Sequence, residues 1–167
     1  MPIDTPTFRA VMGAFPTGVI VVTTVGADAR PKGLTTQSFL SVSTEPPLLL
    51  ISLDRTSRTL GAVLGSKAFV VNFLAAGRDD LARRFASKDE DKFSGVAWQP
   101  SMAAKGSPVL TGDSVAFAEC LVERTIDAGD HVLIVGSVEG GAVLTGAPLM
   151  YYRRRYTGWP EGALAER

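Results

Sequence analysis

The sequence is short of the groups that mark a self-contained catalytic apparatus. It holds one cysteine, Cys120, and one histidine, His131, in 167 residues. One cysteine closes no intrachain disulfide, and it excludes zinc sites built from four cysteines or from two cysteines and two histidines. It lies in the apolar run AFAECLVE and reads as a buried core thiol. One histidine excludes a two-histidine metal centre, so no metal site is expected. A Ser–His–Asp set is arithmetically available, but no G-x-S-x-G elbow accompanies it. G-x-G-x-x-G and G-x-x-x-x-G-K-[ST] are also missing. Any nicotinamide cofactor would be held without a Rossmann fingerprint.

No apolar run approaches the roughly 18 to 20 residues of a membrane span. The opening MPIDTPTFRAVMGAF lacks a basic segment followed by an apolar one, so no signal peptide and no membrane association are expected. The default location is then the cytoplasm. Lysine plus arginine and aspartate plus glutamate number 17 each, giving a net charge of zero. That argues against the broad basic footprint of a nucleic-acid binder. The length suits a single domain over residues 1–167.

What the sequence does have is β-branched runs and short turns. Phe8, Val11, Met12 and Phe15 fall at i, i+3, i+4 and i+7, predicting a helix over 4–15 with one apolar stripe. Asp4 or Thr5 would cap it, with Pro6 in the first turn. VIVVTTV (19–25), LLLISL (48–53) and AFVVNFL (68–74) read as buried strands, and GADARPKG (26–33) as a turn. LTTQSFLSVS (34–43) alternates like one half-exposed strand. SRTLGAVLGS (57–66) reads as a helix capped by Ser57, and RDDLARRFAS (78–87) as an amphipathic helix. KDEDKFSG (88–95) reads as a polar loop or helical turn. SPVL (107–110) starts a strand-rich second half. SVAFAECLVERTID and HVLIVGSVEGGAVL follow, joined by the AGD turn at 128–130, and PLMYYRRRYTGW supplies a last strand and tail. Strands do not alternate with crossover helices, so a doubly wound parallel sheet is disfavoured. The expected fold is mostly β, an antiparallel barrel with a few peripheral helices.

The segment from Gly33 to Val63 is unusually rich in hydroxyls. Thr35, Thr36, Gln37 and Ser38 form a neutral set that both donates and accepts, which suits a ring with a mixed polar edge. Ser57, Thr59 and the free N–H groups of the helix starting there form a candidate anion site. Arg55 and Arg58 add charge that pairs with phosphate. Polar edge binders followed by a phosphate cup suggest a phosphorylated aromatic cofactor. On the residues alone, a half-exposed strand leading to an ordinary N-cap explains the segment equally well. His131, just past a turn, and the aromatic and arginine-rich YYRRRYTGW remain either structural or ligand-facing.

In their joint order, FRAVMGAFPTGVIVVTT (8–24), GLTTQSFLSVSTEPPLLLISL (33–53), SRT (57–59), FVVNFL (69–74), RRFASKDEDKF (83–93), GDHVLIVGSVE (129–139) and PLMYYRRRYTGW (148–159) resemble one family. It is the short-chain flavin reductase family, the small reductase partners of two-component, flavin-dependent aromatic monooxygenases. RFASKDEDKFSGVAW is most similar to reductases that serve steroid- or phenol-type hydroxylases. The resemblance implies a split β-barrel and a homodimer, with flavin near the subunit interface. It implies NAD(P)H:flavin oxidoreductase activity on FMN or FAD, with NADH or NADPH as co-substrate. Reduced flavin would pass to a separate flavin-dependent monooxygenase.

By that resemblance Thr35, Thr36, Gln37 and Ser38 contact the isoalloxazine, with Pro16, Thr17 and Gly18 nearby. Ser52, Ser57, Arg58 and Thr59 hold the ribityl and phosphate part, and Arg84 and Phe85 help close the flavin site. His131 faces the nicotinamide as the catalytic-side residue, and Tyr152, Arg153 and Tyr156 approach the NAD(P)H site. Many relatives carry Ala-Asn where this chain has Thr36-Gln37, so the hydrogen-bond pattern to the ring differs here. Two other readings use the same phosphate cup or the same histidine. One is a pyridoxamine-phosphate-oxidase-like FMN oxidase. The other is a non-catalytic flavin- or haem-binding module with His131 as axial ligand.

Overall fold

A computed structural model describes residues 1–160. The single-domain expectation for 1–167 also takes in residues 161–167, which lie outside the described part. The elements in chain order begin with helix α1 (Thr5–Gly13) and strands β1 (Thr17–Gly18), β2 (Ile20–Val25), β3 (Pro31–Thr36), β4 (Phe39–Thr44) and β5 (Pro47–Asp54). Helix α2 (Arg58–Ser66), strand β6 (Ala68–Leu74) and helix α3 (Asp79–Ala86) follow. The second half holds β7 (Gln99–Pro100), β8 (Pro108–Val109), β9 (Ser114–Ala128), β10 (His131–Val143), β11 (Leu149–Tyr152) and β12 (Arg155–Gly158). The fold is mostly β with few helices, as expected. No helix among the described residues is long and apolar enough to cross a membrane.

Seven strands form one antiparallel sheet in the order β3-β2-β6-β9-β10-β5-β4. Its edge strands, β3 and β4, are consecutive in the chain and separated only by Gln37 and Ser38. Three trans peptides reach at most about 11 Å, so the two edges must meet at that corner and the sheet must curl. No ladder joins β3 to β4, so the sheet is curled but not closed. The expected barrel is corrected to that extent.

The same corner corrects the reading of 34–43 as one strand. Period-two alternation runs straight through it, but the Ser38 N–H donates to Thr36 Oγ1 at 3.1 Å and the Phe39 N–H to Gln37 O at 3.1 Å. Local turn bonds replace ladder bonds there. Likewise β3 begins at Pro31, inside the expected turn 26–33. The last strand is a hairpin, β11–β12, whose turn residues Arg153 and Arg154 have φ of 45° and 65°.

Strand β2 explains its own lack of alternation, because both its faces are covered. Ile20 and Val22 join Ile51, Leu53, Leu60, Val63 and Phe69 in the core under α2. Val19 and Val21 join Leu74, Ala82, Phe85 and Leu149 in the core under α3 and β11. Two buried polar groups of β2 and β6 are paired: Thr24 Oγ1 donates to Ala68 O at 2.8 Å, and Asn72 Oδ1 accepts from Leu110 N at 2.8 Å. The long β9–β10 hairpin shifts register between Val135 and Gly136. A β-carbon at Gly136 would lie 2.7 Å from Phe69 Cζ, so glycine there admits the Phe69 ring to the core.

Helix α1 forms with Asp4 as N-cap, its Oδ1 accepting from Thr7 N at 2.7 Å. Hydrogen bonding with the Thr7 side chain, and then with its backbone N–H, holds the Asp4 carboxyl below the ordinary aspartate value. The apolar stripe faces outward, contrary to the packing that its periodicity suggests. Phe8, Val11, Met12 and Phe15 are 51%, 53%, 53% and 71% exposed, and no residue of the helix is buried.

Candidate active-site cleft

One long cleft of about 1450 Å³ runs along the end of the sheet between β3, β5, α2 and the loop after α3. Its wall carries Thr35 and Thr36 at the end of β3, then Ser52 on β5. Ser57, Arg58 and Thr59 follow at the start of α2, with Phe85 and His131 on the same cleft. Eight of the residues singled out from the sequence therefore meet in one place. The volume lies above the roughly 300–1,000 Å³ of ordinary small-ligand pockets.

The α2 end presents a capped helix N-terminus to the cleft. Ser57 is the N-cap, and its Oγ accepts from Thr59 N at 3.2 Å, which leaves its hydroxyl hydrogen free to point outward. The Thr59 N–H is thus capped, and the Leu60 N–H donates to Ser57 O at 3.1 Å, while the positive end of the helix dipole lies at this turn. The Arg58 side chain is already engaged: Nη1 lies 2.7 Å from Glu90 Oε1, and Nη2 donates to Lys88 O at 2.7 Å. Asp54 closes the turn before the helix, accepting from Thr56 N at 2.7 Å and from Thr56 Oγ1 at 2.6 Å. Those bonds hold its carboxyl below the ordinary value.

At the β3 end the hydroxyls of Thr35 and Thr36 follow the Lys32–Asp28 ion pair along the wall. Thr35 Oγ1 donates to Ala82 O at 2.7 Å, so that hydroxyl ties β3 to α3 and offers a ligand only its lone pairs. Thr36 spends an acceptor on Ser38 N. His131 opens β10, opposite Asp54 in the ladder, and its Nδ1 lies 2.7 Å from Asp130 Oδ1. A proton on Nδ1 donated to that carboxylate leaves Nε2 as an acceptor.

The remaining sequence candidates lie off the cleft wall. Thr17 Oγ1 donates to Gln37 Oε1 at 2.8 Å, joining β1 to the β3–β4 corner beside Ser38. Arg55 is committed to the β9–β10 hairpin: Nε donates to Gly129 O at 2.9 Å and Nη2 pairs with Asp127 at 2.7 Å. Arg84 Nη1 donates to Ser94 O at 2.8 Å and braces the loop after α3. Tyr152, Arg153 and Tyr156 belong to the β11–β12 hairpin, where Arg153 lies 5.2 Å from the Tyr152 ring centroid. Tyr156 stacks under Arg83 at 4.9 Å. Burial above all raises the Tyr156 hydroxyl above the ordinary tyrosine value.

Sequence reasoning missed Lys92. It falls in the expected polar loop or helical turn over 88–95, yet its Nζ donates to Phe85 O at 2.8 Å and to Gly33 O at 3.3 Å on the cleft wall. Burial, and then the nearby Arg58, push its ammonium below the ordinary lysine value. The usable signal was Phe93, which packs edge-on against Phe85 with centroids 4.9 Å apart and folds the loop back.

Residues 12–160 match the family model described as the flavin reductase like domain. The chain belongs to that family. It is 47% identical over 160 residues to a flavin reductase (NADH) of Kitasatospora aureofaciens, covering 95% of this chain and 83% of that one. It is 43% identical over 159 residues to HsaB, the reductase subunit of a flavin-dependent monooxygenase of Mycobacterium tuberculosis, covering 93% and 83%. Among solved structures, nitrilotriacetate monooxygenase component B from Mycobacterium thermoresistibile superimposes with a TM-score of 0.91 at 37% identity, covering 98% and 91%.

Proposed function

We propose that this chain is an NAD(P)H-dependent flavin reductase, a single-domain enzyme that reduces FMN or FAD and supplies the reduced flavin to a separate monooxygenase. The observation that carries this is the cleft, in which the neutral Thr35–Thr36 wall, the α2 anion cup with Arg58, and His131 share one lining. Membership of the flavin reductase like family and likeness to monooxygenase reductase subunits support the same reading.

The residues present fit a flavin. Ser57, Thr59 and the α2 N-terminus hold the phosphate, with Arg58 as its charged partner. Thr36, with Gln37 and Ser38 at the adjoining corner, meets the ring's polar edge. A flavin held there would supply the hydride acceptor, its N5, for C4 of a dihydronicotinamide. The chain's task is to bring the two atoms to roughly 3–3.5 Å and align them. No side chain has to abstract a proton to produce a hydride, so the titratable groups on the cleft are free to bind and position. Asp130 fixes the His131 ring, and His131 positions the nicotinamide. N–H donors near the flavin edge stabilise the negative charge that reduction brings.

This reading includes the split-barrel form of the curled sheet and a cytoplasmic enzyme working as a homodimer. The outward apolar stripe of α1 supports the homodimer. The hairpin bearing Tyr152, Arg153 and Tyr156 then completes the dinucleotide side. The test is a steady-state assay under air with NADH or NADPH against FMN or FAD. Flavin-dependent oxidation of at least one dinucleotide is expected. No oxidation in any of the four combinations overturns the reading.

A further inference from the structure

We propose that Glu90 is a built-in competitor for the flavin phosphate, holding Arg58 until a phosphorylated flavin displaces it. The inference rests on the flavin-reductase reading above. Arg58 is the cationic side chain at the α2 anion cup, yet its fork is filled. Nη1 meets Glu90 Oε1 at 2.7 Å, and Nη2 donates to Lys88 O at 2.7 Å and to Asp89 O at 3.1 Å. The guanidinium fork recognises carboxylate and phosphate by the same bidentate geometry, so the two anions contend for one face.

The competitor cannot drift away. Residues 87–92 form a strap tied down at both ends. At one end Ser87 N donates to Arg83 O at 3.1 Å, and Asp89 N to Ser87 Oγ at 3.2 Å. At the other, Lys92 Nζ donates to Phe85 O at 2.8 Å, and Phe93 packs on Phe85. Glu90 therefore stays within reach of Arg58 whenever the cup is free. The neighbouring carboxylates do different work: Asp89 Oδ1 accepts from Asp91 N at 3.1 Å.

The effect is a brake of limited strength. The Arg58 and Glu90 side chains are 54% and 88% exposed, and an exposed pair of this kind changes an equilibrium by about two- to fivefold. That suits an enzyme whose flavin must leave after reduction. It also gives Glu90 a selective target, because only flavins with a phosphate contend for Arg58.

The test measures FMN, FAD and riboflavin affinities of the full chain by flavin fluorescence quenching. Glu90→Gln is expected to tighten FMN and FAD by about two- to fivefold and leave riboflavin unchanged. In an Arg58→Met background the same change is expected to alter none of the three. Glu90→Ala repeats the measurement, with the melting temperature as a folding control. An unchanged or weaker FMN affinity overturns the proposal, as does an equal gain for riboflavin or a gain that persists without Arg58. If the wild-type chain neither binds nor reduces any flavin, the functional reading itself falls. If it does both and the FMN-to-riboflavin ratio ignores Glu90, only the competitor falls.

Discussion

Gly33 faces the ring of Phe85 so closely that a β-carbon at residue 33 would lie 2.8 Å from Phe85 Cε1 and 3.1 Å from Val22 O. Phe85 is fully buried and meets Phe93 edge-on, so it has no free direction in which to retreat. Gly33→Ala is therefore expected to destabilise the chain by about 1–3 kcal/mol through overpacking. Urea unfolding checks this. Adding Phe85→Leu, which shortens the opposing side chain, is expected to recover part of the loss. A Gly33→Ala variant as stable as wild type would show that the ring moves freely.

This contact also marks what could be read without coordinates. The β-branched runs at 19–25, 48–53 and 68–74 are strands because their apolar side chains need burial, and that is visible locally. Ser57 as an N-cap is equally local, since one hydroxyl and one nearby N–H decide it. The Gly33–Phe85 contact joins residues 52 apart in the chain, and no short pattern announces it. The break at Gln37–Ser38 was hidden because alternation continued across a turn made by the Thr36 hydroxyl. The α1 stripe shows a third limit. Periodicity tells which residues share a face, but it does not tell what covers that face.

His131 sits at the cleft with Nδ1 bonded to Asp130. His131→Ala is expected to lower kcat/KM for the dinucleotide by about tenfold, the loss of one positioning contact. Flavin affinity should be kept. Asp130→Asn retains an acceptor toward Nδ1 and should fall between the two. Stopped-flow reduction at saturating flavin, with flavin affinity measured separately, distinguishes the halves of the site. A collapse of flavin binding would assign His131 to the flavin half.

Cys120 is buried, and burial above all pushes its thiol up to about 12. The folded state keeps the proton that an unfolded chain gives up near pH 9. Stability contributed by the neutral thiol is thus intact below that pH and falls as pH rises toward 12. The slope rises to about 1.4 kcal/mol per pH unit above pH 9, which gives roughly 1.6 kcal/mol between about pH 9 and 10.5. Cys120→Ala is expected to lose that much less stability over the same interval, measured by urea unfolding at both pH values. Equal losses in the two proteins would refute it. The native thiol should also react with a thiol reagent only as fast as the chain opens.

The outward face of α1 bears on the proposed homodimer. Phe8, Val11, Met12 and Phe15 form one apolar stripe, and each is more than half exposed. Single exposed apolar residues are ordinary, but three on one face of α1, with Phe15 two residues past its end, make a group of the kind that another protein surface covers. A second copy of this chain would bury the stripe without any new charge pairing. Met12→Glu places a carboxylate in the middle of it. Burying that charge without a partner is expected to weaken self-association by at least about 100-fold. Light scattering behind size-exclusion chromatography should then show the mass falling from two chains to one at micromolar concentration. The melting temperature of wild type should rise with protein concentration, and that of Met12→Glu should not. A wild-type chain that is monomeric at every concentration would leave the stripe to a different partner and remove the homodimer from the proposed function.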